Sequence, residues 1–242
     1  MLRFIRQFIQ GECSNWKTWE VVWLFFCVVS VILLAWQMGD TPVGIVSAVC
    51  AVLYTVIAGK GKISCYLFGI VNTVLYGKIS LDQKLFGEVM INWFYYLPMM
   101  FFGIAMWKKH RSSEQIIRKT ALTFRERAFY FPLAAVSVVL YGLLLNGMGG
   151  RTPMLDSATT ILSIFAMIFT VKRCIEQWVL WTVVNLISIC MWLKIFFESG
   201  NSAASLLMWC MALVNGIIFF RQWKKDVEMA GKGGSVCPEN AL

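Results

Sequence analysis

The chain has 242 residues, of which 59% are hydrophobic and 14% are charged. Soluble domains average about 45–50% apolar and about 25% charged residues. The composition therefore excludes a disordered chain, a small disulfide scaffold and an ordinary cytosolic domain. The net charge is +9, with one histidine, His110. In a membrane protein such an excess is typical of cytoplasmic loops, so we expect no nucleic-acid partner.

Apolar runs long enough to cross a bilayer, which takes about 17–25 residues, occur throughout the chain. The eight predicted spans are Thr18–Met38, Pro42–Ala58, Ile63–Ile79, Leu85–Trp107, Ala128–Asn146, Pro153–Val171, Gln177–Phe197 and Ala203–Trp223. The predicted fold class is therefore an all-α integral membrane protein with eight transmembrane helices. Several tryptophans stand at span ends, where an interfacial belt is expected: Trp16, Trp19, Trp36, Trp107 and Trp223.

The distribution of basic residues predicts the orientation of these spans. Of the 22 Lys and Arg residues, 18 fall on one side of the predicted membrane, and the other side holds only Lys78, Lys84, Arg151 and Lys194. Positive charge accumulates in cytoplasmic loops. We therefore predict that both termini are cytoplasmic, in a multi-pass protein.

Two stretches of the chain share a pattern that indicates an internal repeat. In each, a proline opens a span, a basic turn follows, the next span carries a central asparagine, and the third ends in Trp-Lys-Lys. One span joins the halves, so they have the same orientation, as in one class of transporter. The predicted segments are an N-terminal region with an extra helix (1–40), a first three-helix repeat (41–107), a basic loop and linker helix (108–150), a second repeat (151–224) and a C-terminal tail (225–242).

Three asparagines lie near the middle of predicted spans. At 1.5 Å per residue, Asn72, Asn185 and Asn215 are ~12–18 Å inside the span boundaries. Polar groups in lipid normally face a cavity or a partner. Each could instead form an interhelical hydrogen bond, worth about 0.6 kcal/mol. Their common depth favours a shared binding site.

Aromatic side chains accompany these asparagines. Trp178, Trp181 and Asn185 follow i, i+3, i+7 and so share one face of a helix. Tyr76 is one turn beyond Asn72. We predict that these residues line the site, although the tryptophans could belong to the interfacial belt and Tyr76 could be ordinary packing.

Acidic residues stand near the predicted outer mouth. Asp156 is about one turn inside the sixth span, and Glu88 with Asn92, at i and i+4, occupies the matching level of the fourth. Two carboxylates there would attract a cation. The alternative is that they pair with Arg151 or Lys84 at the membrane interface.

Several segments resemble the PnuC family of nicotinamide riboside transporters. They are Asp156-Ser157, LSIFAMIFTVKR (162–173), EQWVLWTVVNLIS (176–188) and ALVNG (212–216), with KISCYLFGIVNTVLYG (62–77) in the first half. The resemblance covers about residues 42–224. It implies a three-plus-one-plus-three helix arrangement similar to the SWEET sugar transporters, with Thr18–Met38 outside that core.

The resemblance also implies a function. It implies import of nicotinamide riboside (vitamin B3), a precursor for NAD biosynthesis, across a bacterial inner membrane by facilitated diffusion. A cytoplasmic riboside kinase would then trap the product as a phosphate. The planar cationic pyridinium ring suits a tryptophan face, and the ribose and carboxamide suit amide partners. We expect no cofactor, metal or catalytic residue.

Two alternatives remain open. A SWEET-like transporter of a sugar or another nucleoside would share the architecture but would not need acidic residues at the mouth. A membrane-embedded enzyme or receptor is the other, and the chain contains no nucleotide-binding P-loop or HExxH metal motif. The sequence also leaves the oligomeric state open, a homo-oligomer included.

Overall fold

The computed structural model describes residues 14, 16–39, 41–82, 89–110, 117–149, 152–199 and 203–232. Within these ranges the chain forms eight α-helices and one short π-helix. The helices are α1 (Thr18–Gln37), α2 (Pro42–Gly59), α3 (Cys65–Asp82), α4 (Leu97–Lys109), α5 (Phe124–Gly147), α6 (Pro153–Val171), α7 (Glu176–Ser199) and α8 (Ala203–Lys232). The π-helix, Ile91–Tyr96, leads directly into α4.

Within the described residues, the predicted number and order of helices are confirmed. Among the described residues, α1, α2, α5 and α6 are long and apolar enough to cross a membrane, and α7 has a shorter apolar stretch, Glu176–Met191. Large apolar side chains such as Phe25, Phe94 and Trp36 are exposed on the outer faces of the bundle. Such exposure is costly in water and suits a lipid environment.

Two predicted spans differ from the observed helices. The fourth is not a continuous α-helix, because it is π-helical over Ile91–Tyr96. Pro98 lies two residues beyond, and a proline both lacks an N–H and crowds the carbonyl four residues earlier. The eighth span was predicted to end at Trp223, but α8 continues to Lys232. Hydropathy detects where apolar residues end, whereas a helix can extend beyond the bilayer into water.

Local sequence signals explain where helices begin. Pro42 opens α2, and the Thr41 hydroxyl accepts a hydrogen bond from the Gly44 N–H at 3.1 Å. Thr123 and Glu126 form a reciprocal capping box at the start of α5, with the Thr123 N–H donating to the Glu126 carboxylate at 2.8 Å. These contacts satisfy backbone donors that have no partner within the helix.

The helices pack in an order that links the two halves of the chain. Neighbours in sequence pack together, as α1 on α2, α2 on α3, α5 on α6, α6 on α7 and α7 on α8. Across the halves, α4 packs on α6 and α8 packs on α2. The third helix of each predicted repeat therefore contacts the first helix of the other, and α1 contacts α8 as well as α2.

The largest core lies at the end of the bundle that carries most basic residues, called here the basic end. Tyr66, Trp107, Trp178 and Trp223 are enclosed there, with Trp107 and Trp223 at 0% exposure. The prediction that Trp107 and Trp223 belong to an interfacial belt is therefore wrong. Their position at span ends is correct, but the ends of these helices converge and bury the rings between them.

Candidate functional site

Asn185 lies in the interface between α7 and α8. It is 5% exposed, and an added Cβ at Gly216 of α8 would stand 3.9 Å from its Nδ2 atom. The same Cβ would meet Thr182 Oγ1 at 3.0 Å, so glycine permits this close approach. Among the described residues, no side chain or backbone group forms a hydrogen bond with the Asn185 amide. An amide in a largely buried position that has no partner among the described residues is suited to bind a polar ligand.

Trp178 lies on the same side of α7, closer to the basic end. Its ring contacts Phe219, with centroids 5.5 Å apart, and Trp223, with centroids 5.8 Å apart. It is 3% exposed, and its indole N–H has no hydrogen-bond acceptor in the described part of the chain. In this conformation the ring is enclosed by α8, and its N–H is a second unused donor on the same side of α7, about 10 Å along the helix from Asn185.

Trp181 contacts a different part of the protein. It is half-buried against the smaller core cluster, which contains Phe165, Phe169 and Leu180. The predicted aromatic face is therefore divided, because Trp178 packs toward α8 whereas Trp181 packs toward the α6 cluster. Their roles as ring-stacking residues stay predictions.

Asn215 contacts the additional N-terminal helix. It is 4% exposed, and its Oδ1 atom accepts a hydrogen bond from the indole N–H of Trp23 on α1 at 2.7 Å. Sequence reasoning singled out Asn215 but not Trp23. A tryptophan in the interior of an apolar span, more than one turn from either end, was the available signal.

The first-repeat residues are arranged differently. Asn72 is half-buried, and its Oδ1 accepts from the Ser47 hydroxyl on α2 at 2.9 Å. Tyr76 is 43% exposed and so is not enclosed with the asparagines. Asn92 is 6% exposed and lies on the π-helix. Such π-helical turns occur frequently at functional sites, a feature that span prediction did not detect.

Asp156 stands in the first turn of α6, half-buried. Its carboxylate accepts a hydrogen bond from the Thr152 hydroxyl at 3.1 Å. A carboxylate is favoured near a helix N-terminus, where backbone N–H groups carry partial positive charge. The other predicted acidic residue, Glu88, and the alternative partners Lys84 and Arg151 lie outside the described residues.

A buried ion pair joins three helices near the basic end. Glu20 of α1 is 3% exposed and lies 2.7 Å from the Lys60 ammonium, at the end of α2. The Gln222 amide of α8 also donates to it, at 3.2 Å. Sequence reasoning missed this cluster, although a carboxylate inside a predicted span needs a partner.

In the loop between α4 and α5, burial lowers the pKa of Lys119, while the neighbouring Asp226 carboxylate opposes that shift.

The described residues contain no group of three His, Cys, Asp or Glu side chains that could hold a metal ion. The side chains of α7 that meet α8 here, Trp178, Thr182 and Asn185, offer neutral hydrogen bonding beside aromatic rings. Such a combination can bind a planar ligand with hydroxyl or amide groups.

Comparison with known proteins places these features in a family. The family described as nicotinamide mononucleotide transporter matches residues 41–225. The chain is 35% identical to the nicotinamide riboside transporter PnuC of Neisseria mucosa over 222 residues, which are 89% of this chain and 84% of that protein. It is 31% identical to the protein of the same name from Haemophilus influenzae, over 90% of this chain and 95% of the relative.

A solved structure agrees with the fold. The chain superposes on a crystal structure of the vitamin B3 transporter PnuC with a TM-score of 0.78 and 34% sequence identity. The similarity covers 92% of this chain and 98% of the other.

Proposed function

The chain belongs to the PnuC family of vitamin B3 transporters, and we propose that it carries nicotinamide riboside across a bacterial inner membrane. The observation that supports this substrate is the α7–α8 interface, where the largely buried Asn185 amide and the Trp178 indole N–H have no hydrogen-bond partner among the described residues. The riboside offers oxygen atoms to such donors. Its planar ring can stack on an indole such as Trp181.

The riboside fits this interior better than its phosphorylated form, although the family description names the mononucleotide. No Lys or Arg occurs within five residues of Asn72, Asn185 or Asn215. A phosphate in a low-dielectric interior needs cationic partners. Amides and aromatic rings provide none, so a neutral ribose with a cationic ring is the better match.

The proposed mechanism is facilitated diffusion, with the two repeats moving relative to each other. The reciprocal packing of α4 on α6 and α8 on α2 supports two parallel three-helix repeats joined by α5. The proposed orientation has both termini in the cytoplasm, which follows from the excess of basic residues on one side. A cytoplasmic riboside kinase would consume the imported riboside, keeping the gradient inward.

A reconstitution experiment tests the mechanism. In liposomes without kinase, the riboside should reach equal concentrations inside and outside. With a riboside kinase and ATP enclosed, labelled product should accumulate. Accumulation without kinase under a proton or sodium gradient would contradict facilitated diffusion.

A binding titration tests the substrate. The purified protein should bind the riboside and bind its mononucleotide and glucose much more weakly. Preferential binding of glucose would favour the SWEET-like alternative, and preferential binding of the mononucleotide would contradict the argument from missing cations. The relatives are named as transporters, and we propose no catalytic step.

A further inference from the structure

The additional helix α1 contacts the second half of the bundle through two polar interactions. Near the basic end, the buried Glu20 carboxylate accepts from the Lys60 ammonium and the Gln222 amide. Deeper in the span, Trp23 donates to Asn215 on α8. The family match begins only at residue 41, so the residues of α1 lie outside it.

The chemistry of the Trp23–Asn215 bond determines how the Asn215 amide is oriented. An indole N–H can only donate, whereas an asparagine amide has an acceptor oxygen at one end and two N–H donors at the other. The 2.7 Å contact must therefore use the Asn215 oxygen. The nitrogen end of the amide is directed away from the Trp23 indole.

The nitrogen end of Asn215 has no acceptor among the described residues. Asn215 as a whole is 4% exposed. The following residue, Gly216, directly faces Asn185 and Thr182 of α7. The unused N–H donors of Asn215 therefore belong to α8, the helix that packs against Asn185 in the candidate site.

We propose that Trp23 is a positioning residue for the transport site. By donating to the Asn215 oxygen, Trp23 fixes the orientation of the amide and keeps its N–H donors directed away from the indole. The substrate group that meets these N–H donors must be an acceptor, such as a ribose hydroxyl oxygen or the carboxamide carbonyl oxygen. This inference rests on the proposed function, and it gives α1 a role in substrate selection in addition to packing.

Substrate analogues combined with Trp23→Phe test this role. The phenyl ring keeps most of the packing but cannot donate, so the Asn215 amide becomes free to turn. Nicotinamide riboside and analogues lacking one ribose hydroxyl or the carboxamide oxygen are titrated against the full-length protein. The analogue that lacks the acceptor facing Asn215 should bind the wild type more weakly than the riboside does. The expected difference is roughly 2- to 13-fold, the value of one neutral hydrogen bond. Trp23→Phe should weaken riboside binding and reduce that discrimination, leaving discrimination at the other positions unchanged.

Trp19→Phe is the matched control, because Trp19 lies on the same helix, is 44% exposed and forms no hydrogen bond with any described residue. It should bind every analogue as the wild type does. Asn215→Ala is the second variant and should abolish discrimination at the same position with Trp23 intact. This variant still tests the proposal if Trp23→Phe proves too unstable to purify.

The outcomes distinguish a positioning role of Trp23 from a packing role. If Trp23→Phe lowers the binding of all analogues equally, or only the temperature of unfolding, Trp23 is a packing residue and the inference is overturned. If Asn215→Ala discriminates as the wild type does, the inference is also overturned. If the wild-type protein binds no riboside at all, the proposed function itself fails.

Discussion

Trp223 donates its indole N–H to the carbonyl oxygen of Gly59 at 2.7 Å, across the interface between α8 and α2. Trp107 makes the reciprocal contact from α4, donating to the carbonyl oxygen of Thr170 on α6 at 3.0 Å. Gly59 is the last residue of α2, and Thr170 is in the last turn of α6. Each third helix is thus bonded to the end of the first helix in the other half. This reciprocity supports a repeat and holds the basic end together.

Replacement of either tryptophan should destabilise the protein by a similar amount. Trp107→Phe and Trp223→Phe each remove one N–H···O=C hydrogen bond, worth about 0.5–1.5 kcal/mol net. The measurement is thermal unfolding of the purified protein in detergent. Trp36→Phe, at a side chain 74% exposed, should have no effect. A large loss for one variant and none for the other would contradict the reciprocal arrangement.

Gly59→Ala should be destabilising because the ring of Phe219 packs directly on this glycine. An added Cβ would lie 2.3 Å from the ring, far inside van der Waals contact. Overpacking of this kind costs about 1–3 kcal/mol. Gly147→Ala is the matched control, since no atom lies within 4 Å of the added Cβ there. Equal unfolding temperatures for the two variants would show that α8 does not approach α2 as closely as described.

Glu20→Gln should lower stability strongly. It leaves the Lys60 ammonium, 11% exposed, without its counter-charge, and breaking a buried pair typically costs about 3–5 kcal/mol. Combining Glu20→Gln with Lys60→Met should recover part of the loss, because no buried charge remains. Lys224→Gln, which disrupts an exposed pair with Glu228, should change the unfolding temperature little. A double variant less stable than Glu20→Gln alone would exclude this account.

Trp181→Ala should weaken riboside binding by about 1–2 kcal/mol if the ring stacks on the cationic pyridinium. Trp181→Phe should lose much less, because an aromatic face remains. Trp181 also packs against the Phe165 cluster, so dissociation constants are compared at temperatures where both variants are folded. Equal, small losses would assign Trp181 to packing alone.

Asp156→Asn should reduce uptake of the cationic riboside while sparing a neutral reduced analogue. The asparagine can still accept the hydrogen bond from Thr152 that Asp156 receives at 3.1 Å, so the change mainly removes charge. A carboxylate near the mouth raises the local concentration of a cation. The measurement is initial uptake of both substrates into liposomes. Equal losses for both, at normal expression, would argue against electrostatic guidance.

Much of the architecture could be predicted from local sequence. The bilayer requires long apolar helices with satisfied backbone groups, so hydropathy alone identifies α1, α2 and α6. Proline at position 42 and at position 153 marks the first residue of a helix, because its missing N–H is not needed there. The resemblance to the family rests on contiguous segments of the sequence, and the comparisons with known proteins confirmed it.

The tertiary structure alone decided which polar groups have partners. Asn215 and Trp23 are separated by 192 positions in the chain, and nothing in either local segment specifies that α1 lies against α8. The same is true of Glu20 with Gln222, and of the division between Trp178 and Trp181. Periodicity shows which residues share a face of one helix, but the helix that this face contacts depends on the packing of the whole bundle.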